Sequence, residues 1–73
     1  MTAGPAGLTA REVEVLLLIA RGAATRDVAH QLGIAHKTAG THIERIYTKT
    51  GSHSRSTATI FALKNGLLDP LDL

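Results

Sequence analysis

The stretch VAHQLGIAHKTAGTHIERIY, residues 28–47, decides how this chain folds. Its apolar residues recur at helical spacing on both sides of a single glycine. Val28, Ala29 and Leu32 share one face of a helix predicted over about 25–32, because residues three and four apart lie on the same side. Gly33 ends that helix, since glycine accepts the left-handed turn that other residues resist, and Ile34 returns the chain to the core. A second helix is predicted over about 36–49. With Ala39 taken as the inward direction, a step of about 100° per residue keeps Ile43 and Ile46 within about 40° of it. The same step turns Lys37, Thr41, Glu44 and Thr48 to the opposite side. The spacing therefore predicts two helices joined by a tight turn, the second aliphatic on one flank and polar on the other.

Outward from that pair, Thr9 and Glu12 form a capping-box pattern in which hydroxyl and carboxylate each satisfy a free backbone N–H. A helix over about 10–21 follows, with Val13, Leu16, Leu17 and Ala20 on one face and Val15, Leu18 and Ile19 widening it; Gly22 stops it. Beyond residue 49, Gly51 closes the preceding helix, and a last helix is predicted over about 55–65, with Gly66 as its stop. Ala58, Ile60, Phe61, Ala62 and Leu63 cover more than one stripe of it, which points to burial against a second surface. No strand-like alternation and no repeat is present, so the class is all-α, a four-helix domain over 8–68. Residues 1–7, MTAGPAG, read as a flexible lead-in or linker remnant, and 69–73 as a short tail.

The 73 residues are enough for one small domain. There is no cysteine, which rules out a disulfide framework and a thiolate zinc site. The four histidines, His30, His36, His42 and His53, lack the close pairing of a metal site, and no metal or other cofactor is expected. The apolar run over 15–20 is too short to cross a bilayer and no signal sequence opens the chain, so a soluble, cytoplasmic protein with no membrane partner is expected. No nucleophile with a base and an orienting acid, and no glycine-rich phosphate loop, is recognisable, so an enzyme is not expected. The net charge is +2, but it is unevenly spread. Residues 21–64 hold Arg21, Arg26, Lys37, Arg45, Lys49, Arg55 and Lys64 against only Asp27 and Glu44. A basic centre suits a polyanion, though ordinary solvated surfaces share it.

The order of residues is recognisable at this point. Leu8-Thr9-x-Arg11-Glu12-x-Glu14-Val15-Leu16 is followed by Ile19-Ala20-x-Gly22, then Val28-Ala29-x-x-Leu32-x-Ile34, Thr38-x-x-x-His42-Ile43, Lys49-x-Gly51, Arg55, Ala58 and Gly66-Leu67-Leu68. This closely resembles the LuxR-type (GerE-like) helix-turn-helix domain of bacterial transcription factors, over residues 8–68. The resemblance implies a helix-turn-helix at about 26–45, its second helix in the major groove, and homodimerisation through helix 55–65. It also implies sequence-specific binding of double-stranded DNA and transcriptional regulation in the cytoplasm, at the nucleoid when bound. RNA polymerase and an upstream sensor or receiver domain are further partners that it brings in. MTAGPAG suits an excised domain as well as a free-standing regulator. The chain departs from the pattern at Ala24 and Ala35, where serine usually caps, at Ala39, Gly40 and Glu44 on the recognition helix, and at Ser52. A lost cap costs about 1 kcal/mol, partly recovered if Thr25 caps one residue later.

The candidates for reading base edges are Lys37, Gly40, Thr41 and Glu44. Lysine donates to guanine O6 and N7, threonine offers a hydroxyl or touches a thymine methyl, and glutamate accepts from cytosine N4. Gly40 either admits a close approach to the groove or is a tolerated change on an exposed face. Glu44 either reads a base or pairs locally with Arg45 or Lys37. Arg26, His36, Thr38, Arg45, Tyr47, Lys49 and Arg55 are phosphate-contact candidates, which give affinity and register without sequence information. His42 reads as a packed structural residue. Ala58, Phe61, Ala62 and Asn65 are the candidates for the dimer interface. The competing function is a LuxR-like protein-interaction or dimerisation module with weakened DNA binding, suggested by Gly40, Glu44 and the two missing caps.

Overall fold

The computed structural model describes residues 4–72. Four helices, α1 (Ala10–Ala20), α2 (Thr25–Leu32), α3 (His36–Thr50) and α4 (Arg55–Lys64), are flanked by 3-10 turns at Pro5–Gly7 and Pro70–Asp72. No strand occurs among the described residues, and the all-α reading holds.

Local chemistry sets the helix ends. At α1 the capping box forms in both directions, Glu12 N donating to Thr9 Oγ1 at 3.1 Å and Thr9 N donating to Glu12 Oε1 at 2.9 Å. Ala24 has no side-chain acceptor to offer α2, and Thr25 does not stand in for it. Asp27 does part of the work, its Oδ2 accepting the Ala24 N–H at 3.1 Å. Gly33 and Gly51 close α2 and α3 with φ of 65° and 68°. Those left-handed turns let Ile34 N donate to Ala29 O and Ser52 N to Tyr47 O, at 3.0 and 2.9 Å. Ser52, one of the departures from the family pattern, is buried and shares a 2.7 Å hydrogen bond with the Thr50 hydroxyl, so its polar atom is satisfied.

The core gathers Leu8, Val15, Leu16, Ile19, Val28, Ala29, Ala39, Ile46, Ala58, Ala62 and Leu68. α1 lies at its centre, packing most extensively on α4 and then on α3, while α2 packs on α3. That position corrects the expected inward face of α1. Val15, Leu16 and Ile19 are buried together with Glu12, whereas Val13, Leu17 and Ala20 are half-buried. A helix flanked by two others turns its most crowded stripe between them, and local spacing does not say which of several apolar stripes that is.

The chain ends carry short turns of their own. In residues 4–7 Gly4 N donates to Leu8 O and Leu8 N donates to Pro5 O, and Leu8 itself is fully buried. Proline presets its own φ and Gly7 takes a φ of 74°, so a tight turn forms. Residues 1–3 of that stretch, and residue 73 of the tail, lie outside the described residues. The tail turn is held by Leu71 N donating to Asp69 Oδ1 at 2.9 Å.

Candidate nucleic-acid interface

Ala39 and Ile46 are completely buried and Ile43 and Tyr47 half-buried, which seats α3 by its aliphatic flank. Burying that flank leaves the opposite one open. Lys37, Glu44, Arg45 and Thr48 are exposed, and Gly40 and Thr41 half-buried. Among the described residues, beyond its own helix backbone and chain neighbours, nothing lies within 4 Å of where a Gly40 side chain would begin. Neither its backbone nor its packing demands glycine in the free protein.

Hydrogen bonding alters what the two outward threonines can present. Thr41 Oγ1 donates to Lys37 O and Thr48 Oγ1 to Glu44 O, each at 3.1 Å. Their hydroxyl hydrogens are satisfied by the helix itself, and the methyl groups are left uncommitted. At the start of α3, Ala35 caps nothing and the first turn holds no acid. The positive end of the helix dipole is therefore open, with His36, Lys37 and Thr38 exposed around it.

Beside this face, Thr9, Glu12, Thr41, Glu44, Arg45, Thr48 and Lys49 line an open groove of about 590 Å³ between the start of α1 and α3. Lys49 Nζ lies 2.7 Å from Glu12 Oε1 and donates to Gly7 O at 3.1 Å. Burial alone would raise the Glu12 carboxyl, but the hydrogen bonds from Lys49 and Thr9 and the lysine charge outweigh it and hold it below its ordinary range.

The sequence-predicted residues divide accordingly. Arg26, His36, Thr38 and Arg45 are exposed, Arg26 with only a loose 3.9 Å approach to Asp27. Lys49 is corrected as a free phosphate contact, because its ammonium is engaged by Glu12 and Gly7. Arg55 is half-buried, its Nη1 donating to Ile19 O at 3.5 Å, so it secures the end of α1. Tyr47 packs against the core. His42 is half-buried, and its Nδ1 has no hydrogen-bond partner among the described residues. Glu44 forms no ion pair among the described residues, with Arg45, Lys37 or any other.

On α4 two of the four expected dimer residues, Ala58 and Ala62, need correction. Ala58 and Ala62 are fully buried, since these small residues are what lets α4 lie close on α1. Phe61 is half-buried and Asn65 donates its side-chain amide to Phe61 O at 2.9 Å. Ile60, on the far side of α4, is instead the exposed apolar residue, at 48%. The Glu12–Lys49 pair was invisible beforehand because the partners are 37 residues apart. The burial of Glu12 carried no separate sequence signal beyond its capping role.

Two short helices joined by a glycine turn, the second seated by one flank and open on the other, define a helix-turn-helix domain. The chain matches the family model for bacterial regulatory proteins of the luxR family over residues 6–62, and it belongs to that family, as a LuxR-type DNA-binding regulator domain. It is 38% identical over 60 residues to the uncharacterized transcriptional regulatory protein YxjL of Bacillus subtilis, covering 82% of this chain and 28% of that protein. It is 39% identical over 61 residues to the response regulator protein VraR of Staphylococcus aureus, covering 84% and 29%. Among solved structures, the transcription factor GerE superposes with a TM-score of 0.77 at 39% identity, over 85% of this chain and 92% of that one. The response regulator ChrA, of a heme-sensing two-component system, superposes with a TM-score of 0.76 at 35% identity, over 82% and 30%. The chain thus spans under a third of the length of the curated relatives it matches.

Proposed function

We propose that this domain binds double-stranded DNA sequence-specifically as a homodimer, with α3 in the major groove, and so regulates transcription. The observation that carries the reading is the division of α3, whose buried Ala39 and Ile46 hold it against the core while Lys37, Thr41, Glu44 and Thr48 face away. The uncapped start of α3 and the exposed Arg26 and Arg45 supply backbone N–H groups and cations for flanking phosphates. The α4 face opposite Ala58 and Ala62, centred on Ile60, supports pairing with a second copy. A receiver domain elsewhere in the native protein, contact with RNA polymerase and a cytoplasmic location belong to the same proposal. The response-regulator relatives support the first, and no helix among the described residues is long and apolar enough to cross a membrane.

Fluorescence titration with duplex DNA tests the proposal. Binding that weakens steeply as salt rises is expected, because neutralised phosphates release counterions. The unpaired Glu44 carboxylate beside a side-chain-free Gly40 favours a second reading, a protein-interaction module with weakened DNA binding. Self-association without DNA affinity at low salt would select that reading.

A further inference from the structure

Thr41, Glu44 and Gly40 make up the middle of the outward face of α3, and the structure changes what each has to offer. The Thr41 hydroxyl hydrogen goes to Lys37 O at 3.1 Å, which leaves its methyl as the group free to meet a base. Gly40 occupies the position one turn before Glu44, where a basic side chain would pair with the carboxylate; glycine removes that option. The open space at Gly40 and the absence of any ion pair at Glu44 among the described residues leave the carboxylate as an unmet acceptor.

From this arrangement, and resting on the DNA-binding reading above, we infer that α3 selects a half-site with a thymine methyl against Thr41 and a cytosine N4 amino group against Glu44 on the adjoining base pair. Three residues of helix advance about 4.5 Å, close to the ~3.4 Å step between base pairs, so neighbouring side chains meet neighbouring pairs. Thymine alone offers a methyl in the major groove. A carboxylate requires a donor there. Cytosine presents N4 alone, adenine sets the acceptor N7 beside its amino group, and guanine presents only acceptors. Glu44 therefore favours cytosine most and guanine least.

Selection of bound duplexes from a random pool, using the 73-residue protein, gives the half-site. Thymine next to cytosine is expected at its centre. Deoxyuridine at that thymine removes only the methyl and is expected to weaken binding about four-fold, the equivalent of one unburied methyl group. Thr41→Val keeps the methyl and is expected to bind like the parent, while Thr41→Ser loses the four-fold and no longer distinguishes uracil from thymine. Glu44→Ala is expected to abolish the preference for cytosine at its position, with the other positions unchanged. Equal losses for Thr41→Val and Thr41→Ser, indifference of the parent to uracil, or a uniform rise in affinity with Glu44→Ala would overturn the inference while leaving DNA binding intact. Failure to bind any duplex at low salt would overturn the DNA-binding reading and this one with it.

Discussion

Lys49, in the last turn of α3, places its Nζ 2.7 Å from Oε1 of Glu12, which is 3% exposed at the start of α1. The same ammonium donates to Gly7 O, and the same carboxylate oxygen accepts the Thr9 N–H. One pair thus joins the N-terminal turn, the cap of α1 and the end of α3.

Removing the lysine strands a buried carboxylate. Lys49→Met is expected to destabilise the domain by about 1–3 kcal/mol, the usual cost of a lost charged hydrogen bond to a buried group. For a domain this small that is a large share of the total. Urea unfolding measures it. Adding Glu12→Leu should restore much of the loss, because a paired polar site is then replaced by an apolar one; a double variant less stable than Lys49→Met would contradict the account.

The lowered Glu12 carboxyl makes stability depend on pH. A carboxyl whose folded value lies below its unfolded value of 4.5 stabilises the fold fully above 4.5, and that contribution disappears as pH falls through the folded value. Urea midpoints are expected to drop on acidification from about pH 5 downward. The drop should be shallower in Lys49→Met, which lacks the principal stabiliser of the charged form.

Gly40 has room for a side chain in the free protein. Gly40→Ala is expected to raise stability by about 0.5–1 kcal/mol, by removing the helix-interior glycine cost. Thermal unfolding reads that change. Titration of the same variant with its selected duplex tests close approach: weaker binding is expected if α3 lies tightly in the groove, and unchanged binding would assign the glycine to tolerated substitution.

Exposed and engaged cations should differ in their salt response. Arg45→Ala is expected to lower the slope of log affinity against log salt by about 1, as one phosphate contact is lost. Lys49→Met, compared under conditions where it is folded, is expected to leave the slope unchanged. A smaller slope for Lys49→Met would show that DNA draws the ammonium away from Glu12.

The exposed Ile60 offers a test of self-association that spares the core. Ile60→Asp is expected to give a folded monomer by sedimentation and to weaken binding to a two-half-site duplex far more than to a single half-site. Equal effects on both duplexes would remove α4 from the dimer.

Much of the fold was legible in the chain because it is local. Thr9 and Glu12 announce the start of α1, Gly33 and Gly51 close α2 and α3 through left-handed turns, and the recurrence of Ala39, Ile43 and Ile46 separates the seated flank of α3 from the open one. Each of these depends on residues within a turn or two, where backbone hydrogen bonding and side-chain spacing leave few alternatives. Long-range packing decided the rest. Whether Ala58 and Ala62 face a second copy or α1 depends on how closely α4 can approach, which its own period does not state. Lys49 reads as one more outward cation until the fold brings Glu12, 37 residues away, within 2.7 Å. A charge becomes a solvent-facing contact or an internal tie according to what the tertiary structure sets beside it, and spacing along one helix carries no information about the neighbour.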